Sequence, residues 1–117
     1  HFETSQKALY GHLAGDKVII ETVELIKNEI RNTDLLARWG GEESLILLPN
    51  TDSLKALEIA ERFRIEIENH TFTETDMMTC SFGVAQLKPG EVIENMFQRA
   101  DLMLYEAKRA GKNKVMG

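Results

Sequence analysis

The chain has 117 residues, the length of one domain built around one hydrophobic core. Hydrophobic residues make up 43% and charged residues 28%, as in ordinary soluble globular proteins. The net charge of −5 excludes general DNA or RNA binding through the overall field, and no apolar run approaches membrane-spanning length. The single cysteine, Cys80, excludes an internal disulfide and favours a reducing compartment.

The sequence opens at His1 without a methionine, so we expect a piece of a longer protein. Sensor or regulatory domains, and any membrane anchor, would lie outside this chain. We therefore expect a cytoplasmic domain, belonging to a soluble protein or to the cytoplasmic part of a membrane-anchored one.

The first half of the chain predicts a helix followed by a hairpin. Residues 16–31 place apolar side chains at helical spacing, with Gly15-Asp16 as the N-terminal cap. Two short apolar runs, at 35–39 and 45–48, flank Gly-Gly-Glu-Glu, which is typical of a β-hairpin. The predicted helical stripe consists of Ile19, Val23, Ile26 and Ile30.

The second half predicts helix, strand, helix and a short final strand. Residues 53–69 form the second helix, and residues 78–85 alternate with the period of a strand in which Cys80 is buried. Residues 91–110 form the third helix, which Gly111 ends, and a short strand begins near residue 114. The expected inward residues are Ala56, Ala60, Phe63 and Ile67 in the second helix, and Ile93, Met96, Ala100, Met103 and Ala107 in the third. Trp39 and Tyr105 are expected to pack.

Helices that alternate with strands predict a mixed α/β (α+β) domain, with helices packed on a central mixed sheet. Gly40-Gly41-Glu42-Glu43 is its most unusual local feature, because glycines admit a close ligand and paired carboxylates suit hard divalent cations. On local grounds alone a surface turn with two solvated glutamates is the favoured interpretation, because acidic turns are common. The surrounding segments decide between these interpretations.

Four further segments accompany this turn in fixed order. They are Tyr10-Gly11-His12-Leu13-Ala14-Gly15-Asp16, Arg31-Asn32-Thr33-Asp34, Ser81-Phe82-Gly83-Val84-Ala85, and the stretch from Ala100 to Asn113 that contains Leu104-Tyr105-Glu106-Ala107-Lys108. Together, over nearly the whole chain, they resemble the GGDEF family of diguanylate cyclases. The resemblance implies a palm-like nucleotidyl-cyclase fold in a single GGDEF domain over residues 1–117. It also implies the condensation of two GTP to cyclic di-GMP, with loss of two pyrophosphates, in a bacterial signalling protein.

The resemblance also implies roles for individual residues. Glu42 would bind Mg²⁺ or Mn²⁺ and help to activate the attacking hydroxyl, with Glu43 supporting the metal site. Gly40 and Gly41 would leave room for the triphosphate. Each domain would hold one GTP, so catalysis would need a homodimer.

Residues outside the signature would complete the substrate site. Lys108 and Lys112, one helical turn apart, would hold the β- and γ-phosphates; a solvated basic helix end is the alternative. Asp16 would accept hydrogen bonds from a guanine edge, and it is also a plain N-cap residue. Gln6 falls at or next to the position of a guanine-reading asparagine.

Arg31-x-x-Asp34 matches the family's product-inhibition site, where cyclic di-GMP would bind as inhibitor and Arg38 would join. Arginine pairs bidentately with guanine O6 and N7. The alternative is a helix-end arginine and a turn aspartate, with Asp34 and Arg38 as a weak surface pair.

The chain departs from the family pattern in three ways. The first strand, which supplies a metal-binding aspartate, is expected just ahead of His1 and so absent from this chain, leaving the domain N-terminally incomplete. Residues 3–8 are rewritten and one residue longer, which puts base recognition in doubt. Ser44 replaces the signature's closing phenylalanine, a packing residue.

Two alternatives to an active cyclase therefore stay open. One is a catalytically degenerate GGDEF domain that binds GTP or cyclic di-GMP as a regulatory module. The other is a palm-fold cyclase that uses another nucleotide, because the base-reading positions are altered.

Overall fold

The computed structural model of the chain describes residues 2–8, 20–40, 43–70 and 78–117, with the backbone alone for 2–8, 37–40, 43–44 and Met78. Residues 20–27 are helical (α1). The other elements, in chain order, are β1 Phe2–Ala8, β2 Leu35–Gly40, β3 Glu43–Leu47, α2 Ser53–Asn69, β4 Met78–Val84, α3 Ile93–Arg109 and β5 Val115–Met116. Among these described residues, no helix is both long and apolar enough to span a lipid bilayer.

The five strands form one sheet in the order β2-β3-β1-β4-β5. All neighbours are antiparallel except β4 and β5, which are parallel, so the predicted mixed sheet is confirmed. The helix–hairpin–helix–strand–helix order and the short final strand are also confirmed.

The expectation that the chain lacks the strand completing the sheet was wrong. β1 occupies the centre, paired with β3 on one side and β4 on the other. The physical reason is backbone hydrogen bonding, since β3 and β4 would otherwise face each other with unpaired N–H and C=O groups. The extended residues 2–8 pair with these backbone groups of both β3 and β4.

The α2 helix follows the sequence prediction closely. Asp52 caps its N-terminus, with Oδ1 accepting a hydrogen bond from the backbone N–H of Lys55 at 2.8 Å. The four predicted inward residues are its buried ones: Ala56, Ala60, Phe63 and Ile67. Together with Ile26 of α1 they pack on one face of the sheet against Ile46, Cys80, Phe82 and Val84.

The α3 helix covers the other face and differs from the prediction. Leu104 takes the buried position expected for Met103, and Ile93 is exposed. A 3.6-residue period allows either residue, and close contact of the Leu104 backbone with Gly83 of β4 selects this rotation. Tyr105 does not pack either: it is 57% exposed, with Arg109 Cζ 5.9 Å from its ring centroid.

Candidate functional site

The signature segment lies at the end of the β2–β3 hairpin. Gly40 and Glu43 are register partners, and the pairing shifts between Arg38 and Gly40, so that β2 contains an extra residue. Such a bulge bends a strand and is common next to active sites. The outer residues of the predicted turn therefore belong to the strands, whereas Gly41 and Glu42 lie outside the described residues.

The central strand β1 runs beside this hairpin. Its register pairs Ser5 with Glu43 and Thr4 with Ser44. Glu3, the only carboxylate residue of β1, pairs with Leu45, two positions further from the turn. The residue of β1 that lies opposite Glu43 is therefore a serine. Within the described ranges, no group of three His, Cys, Asp or Glu side chains could hold a metal ion.

The two predicted guanine-reading residues are placed differently. Gln6 belongs to β1, with its backbone opposite Cys80 of β4. Asp16 lies outside the described residues. Their joint action on a base therefore stays a prediction.

The two predicted phosphate-binding lysines flank the end of α3. Lys108 lies in the last helical turn, whereas Lys112 lies beyond the helix with φ 63°. The expectation that they sit one helical turn apart was therefore wrong. The reason is the helix end: Gly111 adopts φ 119°, and the backbone N–H of Lys112 turns back to donate to Ala107 O at 3.1 Å.

The Arg31-x-x-Asp34 motif forms a compact fork. Arg31 Nη2 donates to Asp34 Oδ1 at 2.9 Å and Arg31 Nε to Oδ2 at 3.3 Å, while the backbone N–H of Arg31 donates to the same Oδ2 at 2.9 Å. Nη2 also donates to Pro49 O at 3.0 Å and Thr51 Oγ1 at 2.9 Å. The Asp34 side chain is 3% exposed and that of Arg31 is 53% exposed. The hydrogen bond to Asp34, followed by charge attraction, raises the pKa of Arg31 above its ordinary value.

This fork lines an open cavity of about 290 Å³ between the end of α1 and the first half of α2. Lys55 and Arg62 of α2 line it as well, together with the carboxylates of Glu29, Asp34 and Asp52. Sequence reasoning missed Arg62 and Lys55, although their spacing of seven residues places both on one helix face. Arg38, which we expected to join, lies in β2, where only its backbone is described.

Two glutamates interact with Arg62, and one of them, Glu29, also lines the cavity. Arg62 Nε lies 3.6 Å from Glu29 Oε2. Burial, and after it the nearby Glu29, raises the pKa of Glu66, while Arg62 acts in the opposite direction. Arg62 thus partly offsets the rise in the pKa of Glu66.

Comparison with known proteins identifies the family. The family model described as "Diguanylate cyclase, GGDEF domain" matches residues 1–114. The diguanylate cyclase DgcM of Escherichia coli K12 is 39% identical over 108 residues, which cover 92% of this chain and 26% of DgcM. The response regulator PleD of Caulobacter vibrioides is 38% identical over 114 residues, covering 92% of this chain and 25% of PleD. The chain thus spans about a quarter of the length of these relatives.

Solved structures give the same fold. The active GGEEF domain of a diguanylate cyclase from Vibrio cholerae superposes with a TM-score of 0.88 at 28% identity, covering 98% of this chain and 79% of that one. The GGDEF domain of DgcB from Caulobacter crescentus, in complex with c-di-GMP, gives a TM-score of 0.89 at 29% identity, covering 98% and 74%. This chain belongs to the GGDEF family of diguanylate cyclase domains.

Proposed function

We propose that the chain is the cyclase domain of a diguanylate cyclase, which condenses two GTP to cyclic di-GMP and releases two pyrophosphates. The observation that supports this most is the hairpin register, in which Gly40 lies opposite Glu43 beside the central strand β1. That register puts the two outer residues of the Gly-Gly-Glu-Glu segment, Gly40 and Glu43, at the ends of two paired strands. Relatives named diguanylate cyclases match 91–92% of the chain at 39% identity.

The residues suit the chemistry of phosphoryl transfer. The 3′-oxygen of one GTP forms a bond to the α-phosphorus of the other, the bond from that phosphorus to pyrophosphate breaks, and Glu42 helps to remove the hydroxyl proton. Lys108 and Lys112 balance charge on the β- and γ-phosphates, which become the leaving group. One GTP per domain requires a homodimer for two such attacks.

A divalent cation fits the donor set. Carboxylate oxygens of Glu42 and Glu43 are ligands that Mg²⁺ or Mn²⁺ prefers, and Mg²⁺ is commonly held by one or two carboxylates together with substrate phosphates. When bound, the cation lowers the pKa of the attacking hydroxyl and neutralises phosphate charge.

The test incubates the purified protein with GTP and Mg²⁺ and measures cyclic di-GMP by chromatography. We expect Glu42→Gln to lower the rate roughly 10²–10⁴-fold, because it removes the residue that assists proton transfer. Glu58→Gln on the exposed side of α2 serves as the control and keeps the wild-type rate. A folded, dimeric wild-type protein that makes no product would contradict the proposal.

A second function, regulatory binding of cyclic di-GMP without turnover, has its own support. The cavity holds Arg31, Lys55 and Arg62, and the Arg31 fork is fully assembled. Serine rather than a carboxylate residue lies opposite Glu43. Calorimetry tests it: cyclic di-GMP binding should fall at least about tenfold in Arg31→Ala, the size of losing hydrogen bonds to a charged group. Unchanged affinity in that variant rules the site out, and detectable turnover rules out a purely regulatory role.

A further inference from the structure

The loop between α3 and β5 has an unusual backbone. Three consecutive residues, Gly111, Lys112 and Asn113, have positive φ values of 119°, 63° and 52°. Glycine adopts this region freely and asparagine is enriched there, but lysine is disfavoured. Non-glycine residues persist in such conformations only where the surroundings hold them, and they cluster at functional sites.

The two ends of the loop are fixed by backbone hydrogen bonds. At the start, Gly111 and Lys112 donate to Lys108 O at 3.4 Å and Ala107 O at 3.1 Å, which closes the helix. At the far end, Lys114 O accepts from the backbone N–H of Phe82 at 2.9 Å, which joins the loop to the sheet.

The middle of the loop is fixed by one side chain, which reaches a different helix. Asn113 Oδ1 accepts a hydrogen bond from Arg64 Nη1 of α2 at 2.9 Å, and Asn113 Nδ2 donates to Glu68 Oε2. A cationic donor faces the amide oxygen and an anionic acceptor faces the amide nitrogen, so the amide has one favoured orientation. Arg64 is only 18% exposed, pairs with Glu61, and lies 3.7 Å from Glu68 Oε2.

We propose that Asn113 is a positioning residue for Lys112, and that Arg64 and Glu68 of α2 hold it in place through its amide. The inference rests on the proposed function, in which Lys112 binds the β- and γ-phosphates of GTP. Lys112 directly precedes the anchored residue and shares its left-handed backbone. An error of about 1 Å in the placement of a binding group is enough to weaken its action strongly.

This arrangement predicts an effect confined to the terminal phosphates. Asn113→Gly keeps the positive φ accessible but removes both hydrogen bonds, so it separates the anchor from the backbone conformation. Glu68→Ala removes the acceptor from α2 and leaves the loop sequence intact. Glu68→Gln is the matched control, because its amide oxygen still accepts from Asn113 Nδ2.

The experiment measures GTP and GMP binding to the folded protein by competition against a fluorescent GTP analogue. Asn113→Gly and Glu68→Ala should each weaken GTP binding at least about tenfold, because a misplaced Lys112 loses its charge-assisted hydrogen bond to the terminal phosphates, and should leave GMP binding unchanged. Lys112→Ala should give the same pattern, and Glu68→Gln should bind GTP nearly as the wild type does. Urea denaturation of each variant checks that the fold is kept.

The outcomes separate the two proposals. If Lys112→Ala weakens GTP while Asn113→Gly and Glu68→Ala do not, the positioning role is overturned and the phosphate role of Lys112 stands. Equal losses for GTP and GMP in Asn113→Gly also overturn it, since they indicate a general structural defect. If Lys112→Ala leaves GTP binding unchanged, or the wild type does not bind GTP, the assumed role of Lys112 fails and the positioning role with it.

Discussion

The two faces of the sheet are packed by different means. On the α2 face, large side chains fill the space, and the Phe63 and Phe82 rings lie with their centroids 6.2 Å apart. On the α3 face, small residues let backbones touch, so that a Cβ built on Gly83 would lie 2.0 Å from Ala100 O. The α3 helix therefore packs in close contact with the backbone of the sheet. Side chains separate α2 from the sheet, and charged side chains form networks at the edges of α2.

The largest loss of stability is expected when a large buried side chain on the α2 face is truncated. Phe63→Ala should lower the free energy of unfolding by about 3–5 kcal/mol, because it leaves a cavity beside Phe82. Urea denaturation measures the change. Ile65→Ala on the exposed side of the same helix is the control, with an expected change within about 0.5 kcal/mol. Equal losses in both variants would contradict the view that side-chain volume supports this face.

A smaller loss of stability is expected from a substitution on the α3 face. Gly83→Ala should cost about 1–3 kcal/mol, because the new methyl group forces the α3 backbone away from the sheet. Gly90→Ala is the control: it meets no atom within 4 Å and should cost only the left-handed conformation, about 1–2 kcal/mol. The contrast is sharpened by hydrogen exchange, since only Gly83→Ala should loosen the amides of α3. A selective loss of protection in Gly90→Ala would contradict it.

The smallest effect concerns the loop that joins β4 to α3. Glu91 Oε1 accepts from the backbone N–H of Lys88 at 2.9 Å, and Arg99 Nε donates to Glu91 Oε2 at 3.2 Å. The hydrogen bond from the Lys88 backbone is the main cause that lowers the pKa of Glu91 below its ordinary value of 4.5; burial opposes it, and the hydrogen bond and charge of Arg99 lower the pKa further. A lowered folded-state pKa contributes stability that is present above the unfolded pKa and is lost as the pH falls through the folded value.

The test of this prediction is urea denaturation from about pH 7 to about pH 3. Wild type should be more stable than Glu91→Gln at neutral pH, and the difference should shrink as the pH falls below 4.5. Glu94→Gln, in the first turn of α3, is the control. If the difference in stability between wild type and Glu91→Gln is unchanged at the lowest pH, the lowered pKa of Glu91 is contradicted.

Much of the fold followed from local patterns. The α2 bounds and its four buried residues were predicted correctly, because a capped amphipathic helix is encoded within its own segment. The burial of Cys80 was predicted correctly too. The rotation of α3 was not, because it depends on the contact between Leu104 and Gly83, which lie 21 positions apart in the printed sequence.

Some residues of the candidate site were likewise predicted from the sequence, and others were found only in the structure. Arg31 and Asp34 were singled out by the family resemblance, and the structure brings them together at 2.9 Å. Arg62 and Lys55 could not be assigned to the same cavity, because only the packing of α2 beside the end of α1 places them there. The serine opposite Glu43 was equally invisible, because register between β1 and β3 is set by pairing across the sheet.

The family, the mixed α/β class and the signature residues could all be read from the amino-acid sequence, since ordered motifs and hydrophobic periods are local properties of the chain. Two features could be seen only in the folded chain: residues 2–8 fill the centre of the sheet, and Asn113 is anchored to α2. Both features depend on hydrogen bonds between residues far apart in sequence. Such bonds have no local signature, because either partner alone could be satisfied by water.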